Sequence, residues 1–308
     1  MKIVEPSFEI QHHLDSSSIS ARLEACARVC YKSEDNITDT SAIPFLSKIV
    51  DHGHDPVLEM AVVSFEVTCH VDHVLELFSC HPQYLVIDRI DSGVLITGSI
   101  RAFKELYSRH FHNQLINDLV SILAAKEPHL FGKIFDPDKA LEPDSQVAIK
   151  KLTLQDVEKL PEHLMLRHRF VSVKFIVNRA ISHELVRHRP CSFLQESQRY
   201  CRYGLDKFDN QVTFIQPVFF SKGTEEYTQW VEAMELTEAK YLKLLETSTP
   251  QAARTVLPNS CKTEIIVYGN LIEWQHIFKL RTAKDADPSM REIMLPLHQE
   301  MQKRFSMI

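Results

Sequence analysis

Apolar residues recur at three- and four-residue steps over residues 225–246, where Tyr227, Trp230, Val231, Met234, Tyr241, Leu242 and Leu245 form one stripe. That spacing predicts an amphipathic helix whose stripe is core. Residues 17–30, SSISARLEACARVC, read as a helix with serines able to cap its start. Residues 42–54, AIPFLSKIVDHGH, read as another, with Pro44 in the first turn and Gly53 near the end. The valine-rich AVVSFEVTC (61–69) alternates as a strand does, and FVSVKFIVN (170–178) is a second strand. The latter runs into RAISHELVRHR, predicted helical until Pro190 removes a backbone donor. Between about 70 and 165 the pattern is mixed: YLVIDR and GVLITGS are β-like, NQLINDLVSILAAKE is helical, and FDPDKALEPDSQ is an exposed connection. LIEWQHIFKLR and SMREIMLPLHQEMQKRF close the chain as helices, the second predicted to be interrupted at Pro296. With no repeat and no linker, the pattern predicts one α+β domain over residues 1–308, with 70–165 as a large internal insertion.

Length and composition narrow this picture. A chain of 308 residues that is 44% hydrophobic and 25% charged has the make-up of a globular protein with a large core. No apolar run approaches the roughly 20 residues that cross a bilayer. Charges occupy MKIVEPSFEIQHHLD where a secretion signal needs its apolar stretch, so a cytoplasmic protein without a membrane partner is expected. Seven cysteines without a CxxC pair are expected to be reduced, buried thiols, and no metal site is expected. HELVRH resembles a zinc-protease motif with one residue too many. On a helix His183 and His188 would stand about 140° apart, against the roughly 40° a metal needs.

Only seven glycines occur, and none are spaced as a phosphate-binding loop. Such loops need glycine because the backbone must approach the phosphate closely. A bound nucleotide is therefore expected to rest on side chains, arginine above all. The charge distribution agrees. From Arg167 to Arg202 eight Lys/Arg face two acids, Glu184 and Glu196, a local +6 that leaves −12 for the rest of a chain whose total is −6. An island of cations in an anionic chain suits a small, highly charged anion. Nucleic acid would call for a broad basic face, which the remaining charge opposes. Within the island, Arg187-His188-Arg189 is followed after seven residues by Ser197. The upstream triplet Arg167-His168-Arg169 lacks that serine, position 177 being Val, and reads as ordinary charge at the edge of a strand.

On these residues the chain resembles the flavin-dependent thymidylate synthases. Arg187-His188-Arg189-x7-Ser197 matches that family's signature, and SFLQESQRY around it is similar. ARVCY (27–31) and HGHDPVLE (52–59) resemble its N-terminal blocks. ARTVLP (253–258) with Asn270 and Arg281 resembles its C-terminal nucleotide block. The resemblance covers the start of the chain to about residue 69 and most of 170–300. It implies a twisted, mainly antiparallel sheet packed with helices. It also implies a homotetramer with sites between subunits, and conversion of dUMP to dTMP with FAD, 5,10-methylenetetrahydrofolate as carbon donor and NADPH as reductant.

It further implies roles for residues. Glu184, Arg187, Glu196, Ser197, Gln198, Arg199, Arg254 and Arg281 fall on the dUMP side. For Glu184 an ion pair with a nearby arginine is an equal reading. Arg187, His188, Arg189, Gln195, Asn270, His276, His54 and Glu59 fall on the FAD side, and for His54 a packing or capping role is an equal reading. Arg281 resembles the arginine that stabilises negative charge on the pyrimidine and is the first catalytic candidate. Ser197 is the second. No His–Asp relay stands beside it in the sequence, so it is expected to orient the substrate by a hydrogen bond instead of attacking it. Cys191, which follows a proline, is expected to be structural. Ile272, Leu194, Pro56 and His276 depart from the family pattern, all on the flavin side.

Overall fold

The computed structural model describes every residue except Ser92 and Lys133. The strands are β1 (Lys2–Val4), β2 (Ser7–Ile10), β3 (Val62–Thr68), β4 (Leu85–Ile90), β5 (Gly93–Ser99), β6 (Ala148–Lys151), β7 (Phe170–Asn178), β8 (Ser192–Gln195), β9 (Thr213–Ile215) and β10 (Lys262–Asn270). The chain packs as two compact units. One comprises residues 1–11, 28–33 and 171–308, the other residues 12–27 and 34–170. The mixed stretch 70–165 lies wholly in the second.

The first unit is built on a four-stranded sheet in the order β2-β7-β10-β8, with β2 antiparallel to β7 and β8 antiparallel to β10. A short parallel pair, β1 with β9, stands beside it. From Thr263 to Gly269 β10 is buried at every position, as its near-continuous TEIIVYG run requires of a strand covered on both faces. Asn270 ends it and caps the helix Leu271–Arg281, its Oδ1 accepting from Glu273 N–H at 2.9 Å. That helix buries Trp274 completely, and the indole N–H donates to the Val171 carbonyl at 3.1 Å. The stripe of helix Glu225–Leu245 enters a cluster in which Met234, Tyr241 and Leu245 pack with Tyr203, Val212, Phe214 and Cys261. Two helix expectations need correction. Helix Pro288–Arg304 runs unbroken through Pro296. Met290, Ile293, Met294, Leu297 and Met301 are buried on both sides of the proline, so one packed stripe outweighs the lost hydrogen bond. Helix Arg179–Leu185 stops five residues before Pro190, and His188 lies beyond it.

The second unit carries an antiparallel sheet in the order β4-β5-β3-β6, in register at Phe65↔Ile96 and Phe65↔Lys151. Phe65 meets Phe103 of helix Ile100–His110 edge-on, with ring centroids 5.7 Å apart. Gly93, at the start of β5, has φ +151°, and a Cβ there would lie 2.0 Å from the Val67 carbonyl oxygen. The obstruction is backbone, so Gly93→Ala is expected to destabilise the protein by about 2 kcal/mol or more. A thermal melt checks it.

The upstream Arg-His-Arg also needs correction. It is not edge charge. Arg167 and His168 end the helix Glu162–His168, and Arg169 follows. His168 is buried in a polar chain, its Nε2 2.9 Å from Asp88 Oδ2 and its Nδ1 2.7 Å from Thr97 Oγ1, which lies 2.7 Å from Ser64 Oγ. Burial holds the His168 imidazole below its ordinary range despite Asp88. The neutral ring donates to Asp88 and accepts from Thr97. Arg169, also buried, pairs with Asp15 and Glu158. The buried members, His168 and Arg169, both aim their polar groups at partners, as buried charge demands.

Candidate active site

Glu184 to Arg199 follow one another along the chain, through the end of helix Arg179–Leu185, a turn and β8, and Arg281 joins them from the end of its own helix. Asn178 caps helix Arg179–Leu185, its Oδ1 accepting from Ile181 N–H at 2.9 Å. After Leu185 the backbone turns through Arg187 and His188 and enters β8. The turn alternates sides. Arg187 and Arg189 are exposed, and His188 between them is buried.

Arg281, the last residue of its helix, reaches this turn with every nitrogen engaged. Its Nε donates to His188 Nε2 at 3.0 Å, Nη1 to Glu184 Oε2 at 2.5 Å, and Nη2 to the Glu184 carbonyl at 3.1 Å. Accepting at Nε2 leaves the neutral His188 ring its proton on Nδ1. Burial, and after it the Arg281 guanidinium, lowers His188 to about 4, which fixes that neutral form. His276, exposed on the same helix as Arg281, lies edge-on to His188 with centroids 5.8 Å apart. The ion-pair reading of Glu184 is what the structure shows.

β8 leads into Glu196 and Ser197. Glu196 is buried, Oε1 accepting from Tyr203 Oη–H at 2.8 Å and Oε2 from Lys262 Nζ at 2.8 Å. Lys262 also donates to Glu264 Oε1 at 2.6 Å; Lys32 Nζ lies 2.9 Å from the same oxygen, and Lys174 Nζ 2.8 Å from Oε2. Burial works to raise the Glu264 carboxyl, and Lys262 and Lys32 overcome it, holding the group far below the usual carboxylate range. This cluster escaped the sequence reading. Its signal was there: Lys262 and Glu264, two apart on a strand, share a face.

With its side chain pinned, Glu196 donates its N–H to the Glu264 carbonyl at 2.8 Å, and Ser197 donates its own to the Cys30 carbonyl at 3.0 Å. The Ser197 hydroxyl accepts from Arg199 N–H at 3.3 Å and meets no histidine among the described residues. Gln198 donates to Cys261 Sγ at 3.4 Å. Gln195 donates to Ser182 Oγ at 2.9 Å and Thr263 Oγ1 at 3.0 Å. Arg187, Arg189, Arg199 and Arg254 make no ion pair among the described residues. His54 and Glu59 belong to the second unit, where His54 is exposed and Glu59 accepts from Arg101 at 2.6 Å. Cys191 is buried, its thiol pushed up to about 12 by burial and then by Glu273, an inert group at neutral pH.

The profile of the thymidylate synthase complementing protein family, Thy1, matches residues 137–305, more than half of the chain. The chain belongs to this family. A curated flavin-dependent thymidylate synthase of Pyrococcus furiosus is 35% identical over 169 residues, 52% of this chain and 68% of that protein. Those of Pyrococcus abyssi and Corynebacterium aurimucosum are 36% and 31% identical, over 52% and 66% of their own lengths. The Thy1 match takes in Glu184, the Arg187–Ser197 signature, Arg254 and Arg281, and it leaves out His54 and Glu59. A solved UMP/dUMP methylase from Streptomyces cacaoi aligns over 98% of the chain with a TM-score of 0.42 and 13% identity, an overlap too loose to bear on the site. Among the described residues no helix is long and apolar enough to cross a membrane.

Proposed function

We propose that this protein catalyses the reductive methylation of dUMP to dTMP, with FAD as cofactor, 5,10-methylenetetrahydrofolate as carbon donor and NADPH as reductant. It acts as a cytoplasmic homotetramer. The supporting observation is that exposed Arg187 and Arg199 and half-buried Arg254 make no ion pair among the described residues, whereas the buried Arg169 and Lys104 are paired with carboxylates. Arg187, Arg199 and Arg254 would take the nucleotide phosphate, since guanidinium forks match phosphate oxygens in pairs. The Glu196–Gln198 segment would hold the nucleotide with main-chain groups and the Ser197 hydroxyl. Arg281, beside Glu184, would face the pyrimidine, where its charge favours the electron-rich ring needed for C5 to attack carbon.

Exposed Arg187 and Arg189 would take the diphosphate of FAD, and His188, through its remaining Nδ1–H, Gln195, Asn270 and His276 would complete the first unit's flavin-side set. Flavin, when bound, supplies hydride. Incubating the protein with dUMP, methylenetetrahydrofolate, FAD and NADPH tests the reading, and dTMP is the expected product. The sheet of the second unit, three of whose four strands lie within 70–165, motivates one alternative: a pyrimidine-nucleotide-binding protein with another substrate or no catalysis. Absence of dTMP with retained dUMP binding favours it.

Ser197→Ala is expected to keep measurable turnover, lower by about tenfold, the worth of one hydrogen bond to a charged or polar group. Complete loss with intact dUMP binding would instead indicate covalent attack by the serine.

A further inference from the structure

The second unit repeats the site-bearing elements of the first. Its sheet runs β6-β3-β5-β4 where the first runs β2-β7-β10-β8, and the outer pairs are antiparallel in both. Strand β3 passes through a capping side chain, His70, into the helix Val71–Ser79, as β7 passes through Asn178 into Arg179–Leu185. At one constant offset Ser64, Glu76, Leu77 and Pro82 have identical counterparts in Ser172, Glu184, Leu185 and Pro190. Gly98 and the cap Ser99 lead from β5 into an eleven-residue helix, Ile100–His110, as Gly269 and Asn270 lead from β10 into the eleven residues Leu271–Arg281. Ser79, Cys80 and His81 are exposed, buried and exposed in turn, the pattern of Arg187, His188 and Arg189. The chain does hold a repeat, contrary to the expectation from its sequence: so few identities survive that only the fold shows it.

The repeated turn has changed its chemistry. Serine and histidine stand at its two arginine positions, and His110 stands at that of Arg281, so the cations that suit a nucleotide phosphate are gone. Against the turn lies a cleft of about 520 Å3, walled by Phe78, Pro82, Leu85 and Ile87 and edged by His81 and Arg167. Apolar walls with a few polar groups, at this size, are the make-up of a small-molecule pocket. Arg167 is anchored there: its Nε donates to Asp88 Oδ2 at 2.6 Å, the oxygen that His168 Nε2 meets at 2.9 Å. We propose that this cleft is a ligand site separate from the nucleotide site, and that it takes a planar aromatic molecule bearing one anionic group. The half-exposed Phe78 and the aliphatic wall would receive the ring, and the Arg167 guanidinium would meet the anion. Asp88 orients that guanidinium and already meets part of its charge, which favours a singly charged group over a phosphate chain.

His81 carries an independent sign of use. Its φ is +50°, in the left-handed region that a residue with a Cβ enters only at a cost, and its counterpart Arg189 does not share it. Two hydrogen bonds hold the turn in place, from Cys80 N–H to the Leu77 carbonyl at 3.1 Å and from His81 N–H to the Phe78 carbonyl at 3.0 Å. A glycine would adopt this conformation freely. Histidine in its place sets an imidazole at the cleft, beside the wall formed by Phe78 and Pro82.

The experiment is fluorescence titration of the full-length protein with 8-anilinonaphthalene-1-sulfonate, beside N-phenyl-1-naphthylamine, the same ring system without the sulfonate. Arg167→Ala should weaken the sulfonate by about tenfold, the worth of one hydrogen-bonded contact to a charged group, and the neutral dye by less than about twofold. If this variant does not fold, Arg167→Gln, which keeps the stem and loses the charge, gives the same reading. Phe78→Ser should weaken both dyes alike, by about fivefold. His81→Gly should weaken the sulfonate by about threefold while raising the melting temperature, a pairing that a merely structural histidine would not give. Saturating dUMP should leave the sulfonate bound. A wild-type protein that binds neither dye, a sulfonate affinity untouched by the changes at Arg167 and Phe78, or displacement of the dye by dUMP overturns the proposal. None of these outcomes decides the dUMP reading, which the dTMP assay tests.

Discussion

Arg281→Ala is expected to lower dTMP formation by about a hundred- to a thousandfold, the usual effect of deleting one group that meets developing charge. The variant should still take up flavin, since Arg281 faces Glu184 and His188 and the exposed Arg187 and Arg189 remain. Arg281→Lys should do little better. An ammonium has three rotatable donors and no planar fork, so it cannot meet the Glu184 carboxylate, the Glu184 carbonyl and the His188 ring in one geometry. Turnover of purified variants, read beside their visible spectra, decides the matter. Near-normal kcat in Arg281→Ala removes this residue from the chemistry.

The largest effect on stability is expected from Lys262→Ala. Lys262 is the cation that serves both Glu196, 1% exposed at its side chain, and Glu264, 7% exposed. Its removal leaves Glu196 with the Tyr203 hydroxyl alone, a buried carboxylate without a counter-charge, at a cost of about 3–5 kcal/mol. Denaturant unfolding should show it as a lower midpoint.

The acid side gives a second readout. Glu264 is held below its ordinary value of 4.5, so the stability it contributes is present above that pH and is lost as pH falls toward its folded value. Wild-type stability should therefore decline as pH drops below about 4.5. In Lys262→Ala the decline should be shallower, because one of the cations holding the carboxylate down is gone. A variant with the wild-type acid slope shows that Lys262 does not hold Glu264 down.

Period and punctuation made most elements legible. The strands at 61–69 and 170–178 and the helices at 17–30, 42–54 and 225–246 were expected and are present within a few residues. The two helix corrections share a cause. Proline rules describe the backbone alone, whereas the stripe through Pro296 continues because both halves pack. The helix before Pro190 ends early, at Leu185, where the chain turns toward β8.

The two Arg-His-Arg triplets show how far a sequence reaches into the site. Composition made them look alike, and only the serine eight residues on from Arg189 set one apart. In the structure the upstream triplet buries His168 and Arg169 among carboxylates and hydroxyls, while the downstream one exposes both arginines around a buried histidine. The same residues therefore end as internal glue or as open cations.

The sequence by itself determined the family, the α+β class, and the reliance on arginine in place of glycine, since these rest on residue identity and spacing. Only the tertiary structure decided which charges are spent. Glu184 closes on Arg281 from about a hundred residues away, and Lys262, Lys32 and Lys174 converge on Glu264 from three strands or loops. Charge pairing depends on distance in space and on burial, which a linear order of residues does not contain.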